Sequence, residues 1–432
     1  MAVERNKVFY QVFLRSFTQE GTFKSAKKMF PHLKDLGVDV IWLSPICKAD
    51  PDENRAYWSQ RARKSGFDNP KNPYRPYDYF KVDEEYGTLD ELKDFLNEAH
   101  NYGIKVLLDC VYLHCGPTSP YITERSDLFK KRSDGSLYCN YYNFPEFDFE
   151  NMETQKFFWE NMEYFIGEVG FDGIRSDCGG AMPTSFWVEG IKRIRAIKPD
   201  AISLIEGRNV KIDKCFDIDY DDSPSLQNIL GDQHICTSVK DFITERKNHD
   251  ADYIGVMNTL YQMENHDLAN DYYDERFEKV LPVEVMEAIA IFAFCNYGNP
   301  MIYNGFEIAD SHRHSILYNR DCKGIACVDW SNALTPKGKH RLEFTKKLVE
   351  LRHNVEALSC ANSEYLSDGS DNIIAMLRRG ESENVLVLIN YQDKANEYQL
   401  PCEAKGTYIE KGICISGTKC TMDAYGYAVI RL

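Results

Sequence analysis

Along most of this chain, stretches with an apolar residue every three or four positions alternate with short unbroken apolar runs. The clearest unit is "TLDELKDFLNEAHNYGIKVLLDCVYLH". Thr88 and Glu91 have the spacing of a capping box, Leu89, Leu92, Phe95, Leu96 and Ala99 follow at helical period, and Gly103 supplies a stop. "IKVLLD" then reads as a buried strand ending at Asp109. The rhythm recurs as "SAKKMFPHLKDLG" before "VDVIWLSP", "ETQKFFWENMEYFIGEVG" before "FDGIRSD", "SFWVEGIKRIRAIKPD" before "AISLIEG", and "VEVMEAIAIFAFCNYGN" before "PMIYNG". With the opening "KVFYQVF" and weaker runs at "CFDIDY" and "MNTLYQMEN", about eight strands are expected, apolar enough to be buried on both faces. This alternation predicts an α/β protein with a (β/α)8 barrel at residues 1–114 and 153–354, a doubly wound open sheet being the alternative. Residues 115–152 are aromatic-rich without helical period and predict a small inserted lobe over the barrel mouth. After residue 355, short alternating runs such as "NIIAMLRR" and "NVLVLINY" predict a C-terminal antiparallel β-sandwich at 355–432.

The 432 residues are 43% hydrophobic and 13% aromatic, ample for a large core and a second domain. No apolar stretch is long enough to cross a membrane, and the opening lacks a secretory pattern, so a cytoplasmic protein is expected, with its 14 cysteines reduced. A formal net charge of −16 argues against a nucleic-acid partner and favours a neutral or cationic ligand.

Four of the predicted strands end in an acid: Asp109, Asp177, Glu206 and Asp267. Strand C-termini of a barrel share one mouth, so these acids converge although they lie far apart in sequence. Arg175 and Asp177 are two apart and share a strand face, which predicts that the guanidinium holds Asp177 ionised with a lowered pKa. Glu206, partly desolvated beside other anions, is expected to keep a proton. One ionised carboxyl beside one proton donor is the pair that glycosidic cleavage needs. Gly179 and Gly180 are expected to let the backbone turn sharply after Asp177. His114 and His266 reach the same rim as candidate donors to sugar hydroxyls, and no HxxxH or HxH spacing supports a zinc or iron site.

These motifs resemble the α-amylase family of glycoside hydrolases, in the family's order: "DCVYLH", "GIRSD", "LIEG" and "ENHD", with "HLKDLGVDVIWLSPI", "NPYRPYDYFKVDEEYGT", "FPEFDFEN" and "MIYNGFE" around them. The resemblance implies a retaining mechanism with Asp177 as nucleophile, Glu206 as acid/base and Asp267 as transition-state stabiliser. It further implies that Arg175 orients Asp177, that Asp109 buttresses Arg175, that His114 and His266 bind hydroxyls before the cleavage point, and that Tyr74 stacks beneath that sugar. No cofactor is implied. The family's structural calcium is doubtful, since Leu113 and Gly180 stand where relatives offer ligands, although Glu146 and Asp148 could hold an ion differently. Arg75 replaces the family's aspartate after the tyrosine, which alters the local subsite.

The expected activity is hydrolysis of α-1,4-linked glucooligosaccharides or maltodextrin. A transglycosylase, glucanotransferase or phosphorylase on the same framework is the alternative, and a catalytically inactive sugar-binding relative is a third reading. An oligosaccharide or α-glucan is the expected partner, with no nucleic acid and no membrane.

Overall fold

Eight short strands, one from each apolar run, close into a parallel barrel in which every strand lies beside its neighbour in sequence. They are β1 (Phe9–Val12), β2 (Val40–Leu43), β3 (Lys105–Cys110), β4 (Gly173–Ser176), β5 (Ile202–Ile205), β6 (Ile218–Asp221), β7 (Asn258–Gln262) and β8 (Asn299–Tyr303). β8 pairs back onto β1, which settles the choice between a barrel and an open sheet. The computed structural model describes residues 5–65, 71–207, 214–221, 238–267, 276–317 and 327–432.

Alternation along the strands separates two cores. Phe9, Val40, Leu107, Ile202, Leu204, Ile218 and Met301 point inward and fill the barrel. Residues of opposite parity, such as Tyr10, Ile41, Val106, Leu108 and Ile174, face the surrounding helices. Because side chains on one face recur every second residue, Leu107 at the barrel floor places Asp109 at its mouth, and Gly173 does the same for Arg175. Gly173 is required there, since a Cβ would meet the Ile202 carbonyl oxygen at 2.0 Å.

The helices end where the sequence says they should. Thr88 Oγ1 accepts from the Glu91 N–H and Glu91 Oε2 accepts from the Thr88 N–H, the reciprocal capping box of helix Leu89–Asn101. Helix Met152–Tyr164 loosens into a π turn over Phe165–Val169 and stops at Gly170, whose φ is 107°.

Among the described residues, two excursions rise from the barrel mouth. Residues 115–151 form the lobe expected after β3, almost without regular structure. The longer excursion, residues 44–65 and 71–88 between β2 and the next helix, was not anticipated. It contains an antiparallel ribbon, Cys47–Ala49 against Pro76–Val82, and a short helix Gln60–Ser65. Gly116 fastens the two excursions together: its backbone lies so close to Asp50 that a Cβ would sit 2.1 Å from that side chain.

The C-terminal part is a six-stranded antiparallel sheet, β9 (Ser363–Tyr365), β10 (Ile373–Arg379), β11 (Asn384–Asn390), β12 (Asn396–Gln399), β13 (Gly406–Ser416) and β14 (Lys419–Arg431). One face, with Ile374, Met376, Val387 and Val429, joins the core beneath the barrel helices. The other, with Ile373, Ala375, Leu386 and Ile430, is buried by Leu400, Cys420 and Met422 from the far end of the same sheet.

Candidate active site

At the C-terminal mouth of the barrel one guanidinium meets three carboxylates. Arg175 Nη1 donates to Asp109 Oδ1 at 2.8 Å and to Asp177 Oδ1 at 2.9 Å, and its Nη2 donates to Glu206 Oε2 at 2.6 Å. β3 and β4 place the Asp109 and Arg175 backbones opposite each other, so their side chains emerge on the same inner face. Asp109 is further held through Oδ2 by the Trp42 indole N–H and the Tyr74 hydroxyl, both at 2.9 Å. Arg175 lies over the Trp42 ring, its Cζ 4.6 Å from the centroid.

Asp177 and Glu206 each offer an oxygen within 4.8 Å of the other. Their spacing is fixed by more than Arg175. Cys178, the residue after Asp177, takes the left-handed conformation with φ 47° and turns its own N–H toward Glu206 Oε2 at 3.1 Å. The sharp turn expected of Gly179 and Gly180 is therefore made by Cys178. Gly179 serves close packing instead, since a Cβ there would meet Ile205 Cγ1 at 2.5 Å.

The electrostatics correct one expectation. Arg175 was expected to lower the Asp177 pKa, yet Asp177 is held well above the usual carboxylate range. Burial is the leading cause, and the anions of Glu206 and Asp109 add to it against the opposing pull of Arg175. Asp109 is raised too, again by burial, despite its hydrogen bonds. With all three acids ionised, a single arginine would leave a net charge of −2 in a desolvated pocket, which is why Asp177 and Asp109 are pushed up in spite of their guanidinium partner. Asp267 behaves oppositely and lies far below the usual range: burial alone would raise it, but neighbouring positive charge prevails. Arg61 Nη1, from the short helix in the first excursion, donates to Asp267 Oδ1 at 2.8 Å.

Both rim histidines are neutral, burial holding each down at about 4. His266 Nδ1 accepts from the Gln11 side-chain amide at 2.9 Å, which leaves a proton on Nε2, 3.7 Å from Asp267 Oδ2. His114 differs from its expected role. Its Nε2–H donates to the Tyr74 carbonyl at 2.9 Å and its Nδ1 accepts from Asn140 at 3.0 Å, so both ring nitrogens are used by the protein. It positions Tyr74 and ties the inserted lobe to the barrel, with no nitrogen over for a sugar hydroxyl. Tyr74 stacks on His266, the rings 4.9 Å apart and 12° from parallel, so one of its faces is already covered.

Sequence reasoning passed over Gln11, Trp42, Arg61 and Asn140. Gln11 carried a signal, a lone amide in the apolar run "KVFYQVF". Trp42 looked like core because its ring is core, and only its N–H reaches the site.

The residues present do not fit a calcium ion at the family's usual place. The Leu113 side chain is buried hydrocarbon, and its carbonyl accepts from the Phe147 N–H. Glu146 is engaged by Lys130 Nζ at 2.5 Å, and Asp148 Oδ1 accepts from the Glu150 N–H. Among the described residues, the group of potential metal donors is Asp177, Cys178 and Glu206, where Arg175 already supplies the positive charge.

Residues 8–135 match the family model "Alpha amylase, catalytic domain". Alpha-amylase 2 of Dictyoglomus thermophilum is 25% identical over 93% of this chain and 71% of its own length. Over residues 8–135 the chain is thus similar to the catalytic domain of the α-amylase family. The maltogenic alpha-amylase of Bacillus acidopullulyticus is 24% identical over 89% of this chain, which spans 65% of that relative's length. A cyclomaltodextrinase from a Bacillus species is 24% identical over 90% of this chain and 73% of its own. The family fold extends over the whole chain: the crystal structure of an alpha-amylase from Lactobacillus plantarum superposes with a TM-score of 0.81 at 22% identity, covering 99% of both chains.

Proposed function

We propose that this protein belongs to the α-amylase family as a retaining glycoside hydrolase of α-1,4-linked glucooligosaccharides. The observation that carries the reading is the Asp177–Glu206 pair, with an oxygen of each within 4.8 Å and both on one guanidinium. Retaining glycosidases need two carboxyls about 5 Å apart, whereas inverting ones leave several ångströms more for a water. Asp177 Oδ1 is occupied by Arg175, so Oδ2 attacks the anomeric carbon as the glycosidic C–O bond breaks. Glu206 Oε2 accepts from both Arg175 and the Cys178 N–H, which leaves Oε1 as the oxygen that, as general acid, hands a proton to the departing oxygen. The resulting covalent ester is cleaved by water, which Glu206 deprotonates on its way in. Asp267 stays ionised and accepts from ring hydroxyls, while the His266 Nε2–H donates to one. The substrate class is supported by relatives named maltogenic alpha-amylase and cyclomaltodextrinase. A reducing, cytoplasmic setting is supported by buried free thiols at Cys110, Cys115, Cys295 and Cys420, and no helix among the described residues is long and apolar enough to cross a membrane.

Incubation with maltoheptaose, followed by proton NMR of the first product, tests the reading. Shortened chains released as the α-anomer are expected. Products longer than the substrate would replace water by a sugar hydroxyl as the acceptor, and phosphate-dependent release of a sugar phosphate would make it a phosphorylase. Asp177→Asn is expected to lower kcat by several orders of magnitude with the fold intact, and an unchanged kcat would remove Asp177 from the chemistry.

A further inference from the structure

The ion pair between Arg61 and Asp267 joins two parts of the molecule that a barrel alone would keep apart. Asp267 follows the end of β7, whereas Arg61 stands on helix Gln60–Ser65 in the excursion after β2. That helix is anchored. Trp58 and Ala62 are buried in one apolar cluster with Phe13, Tyr74, Ile316 and Leu317, and the Ala56 carbonyl accepts from Asn143 of the inserted lobe. The segment is thus clamped between the barrel rim and the lobe, and Arg61 is aimed from a fixed platform.

Among the described residues, the groups facing Asp267 are few. His266 on its own strand end is neutral above about 4, Tyr74, Tyr220 and Tyr303 are neutral phenols with their pKa values raised by burial, and Arg175 is committed to three other acids. Among those residues the permanent cation in direct contact with Asp267 is Arg61, at 2.8 Å.

Resting on the glycosidase reading above, we propose that Arg61 is a positioning residue: from its anchored helix it fixes the Asp267 carboxylate in the one orientation in which it accepts from the ring hydroxyls of the reacting sugar.

The test uses maltoheptaose with wild type, Arg61→Met and Arg61→Lys. Arg61→Met is expected to lower kcat/KM by at least about tenfold, with kcat falling more than KM rises, because a misplaced Asp267 acts on the chemical step. Arg61→Lys keeps the charge on the same helix and is expected to recover most of that loss, a rescue that a merely structural helix residue would not show. An Arg61→Met with the kcat and KM of wild type, or an Arg61→Lys no better than Arg61→Met, overturns the proposal while leaving the glycosidase reading standing. A wild type inactive on every α-glucoside overturns that reading and, with it, the proposal. Equal melting temperatures for the three proteins exclude misfolding as the cause.

Discussion

Trp42 lies beneath the guanidinium of Arg175, 4.6 Å from ring centroid to Cζ, and the same indole donates its N–H to Asp109. A single side chain thereby steadies both members of a buried ion pair, one through its π face and one through its edge. Trp42→Phe keeps much of the face and loses the donor, leaving Asp109 with one hydrogen bond fewer in a buried site. The expected outcome is a loss of roughly 1–3 kcal/mol in stability by denaturant unfolding, with kcat reduced more than KM is raised, because the displaced group acts on the chemical step. An unchanged kcat would show that Arg175 is held by its carboxylates alone.

The histidines give a prediction with a definite sign. His114, His266 and His314 are each held at about 4 by burial. A base whose folded pKa is lowered must take up a proton on unfolding once the pH drops below its ordinary 6.5, so its contribution is nil above that and increasingly destabilising down to about 4. Asp109 and Asp177, raised in the folded protein, lean the other way over the same range. The separate measurement is therefore NMR of the ring carbons between pH 8 and 5, with signals assigned by single His→Gln variants, in which His114, His266 and His314 are expected not to titrate. Any of these three moving near pH 6.5 would contradict the buried neutral rings, and for His114 and His266 the tautomers on which the roles of Asn140 and Gln11 depend.

Glu287 ties the C-terminal sheet to the barrel. Its buried carboxylate accepts from the Tyr427 hydroxyl at 2.8 Å, from Lys411 Nζ at 2.9 Å and from the His340 ring. Its pKa is lowered in spite of burial, through those three bonds. The stability it contributes is present above its ordinary 4.5 and is lost as the pH falls below it. Glu287→Ala is expected to cost about 3–5 kcal/mol at neutral pH, since Lys411 and Tyr427 lose their buried partner, and markedly less at pH 3.5. A cost independent of pH would mean that packing, and not charge, joins the two parts.

Five of the eight strands were legible because each is a short apolar run preceded by an amphipathic helix, whereas β1, β6 and β7 had to be read from the opening "KVFYQVF" and the weaker runs "CFDIDY" and "MNTLYQMEN". The acids at strand ends were legible for a related reason: Asp109 or Asp177 at the end of an apolar run conflicts with burial unless it does something. Arg61 could not be found this way. It sits in a polar stretch, "NRAYWSQRARKSG", where any of three arginines would serve equally well by pattern, and its partner is 206 residues away. The direction at Asp177 was missed because the strand spacing showed one neighbour, Arg175, while the two further anions and the depth of burial are properties of the closed barrel. His114 shows the same limit, since its second partner, Asn140, comes from a lobe with almost no periodicity to read.

The left-handed turn at Cys178 has a bearing on how such an enzyme can be re-tooled. Asp177 and the Cys178 amide that grips Glu206 are adjacent along the backbone, so the gap between the two carboxyls is set by one stretch of main chain at the strand end. Loops around the rim can be lengthened, shortened or exchanged, altering which glucans enter, without retuning the distance on which bond cleavage depends.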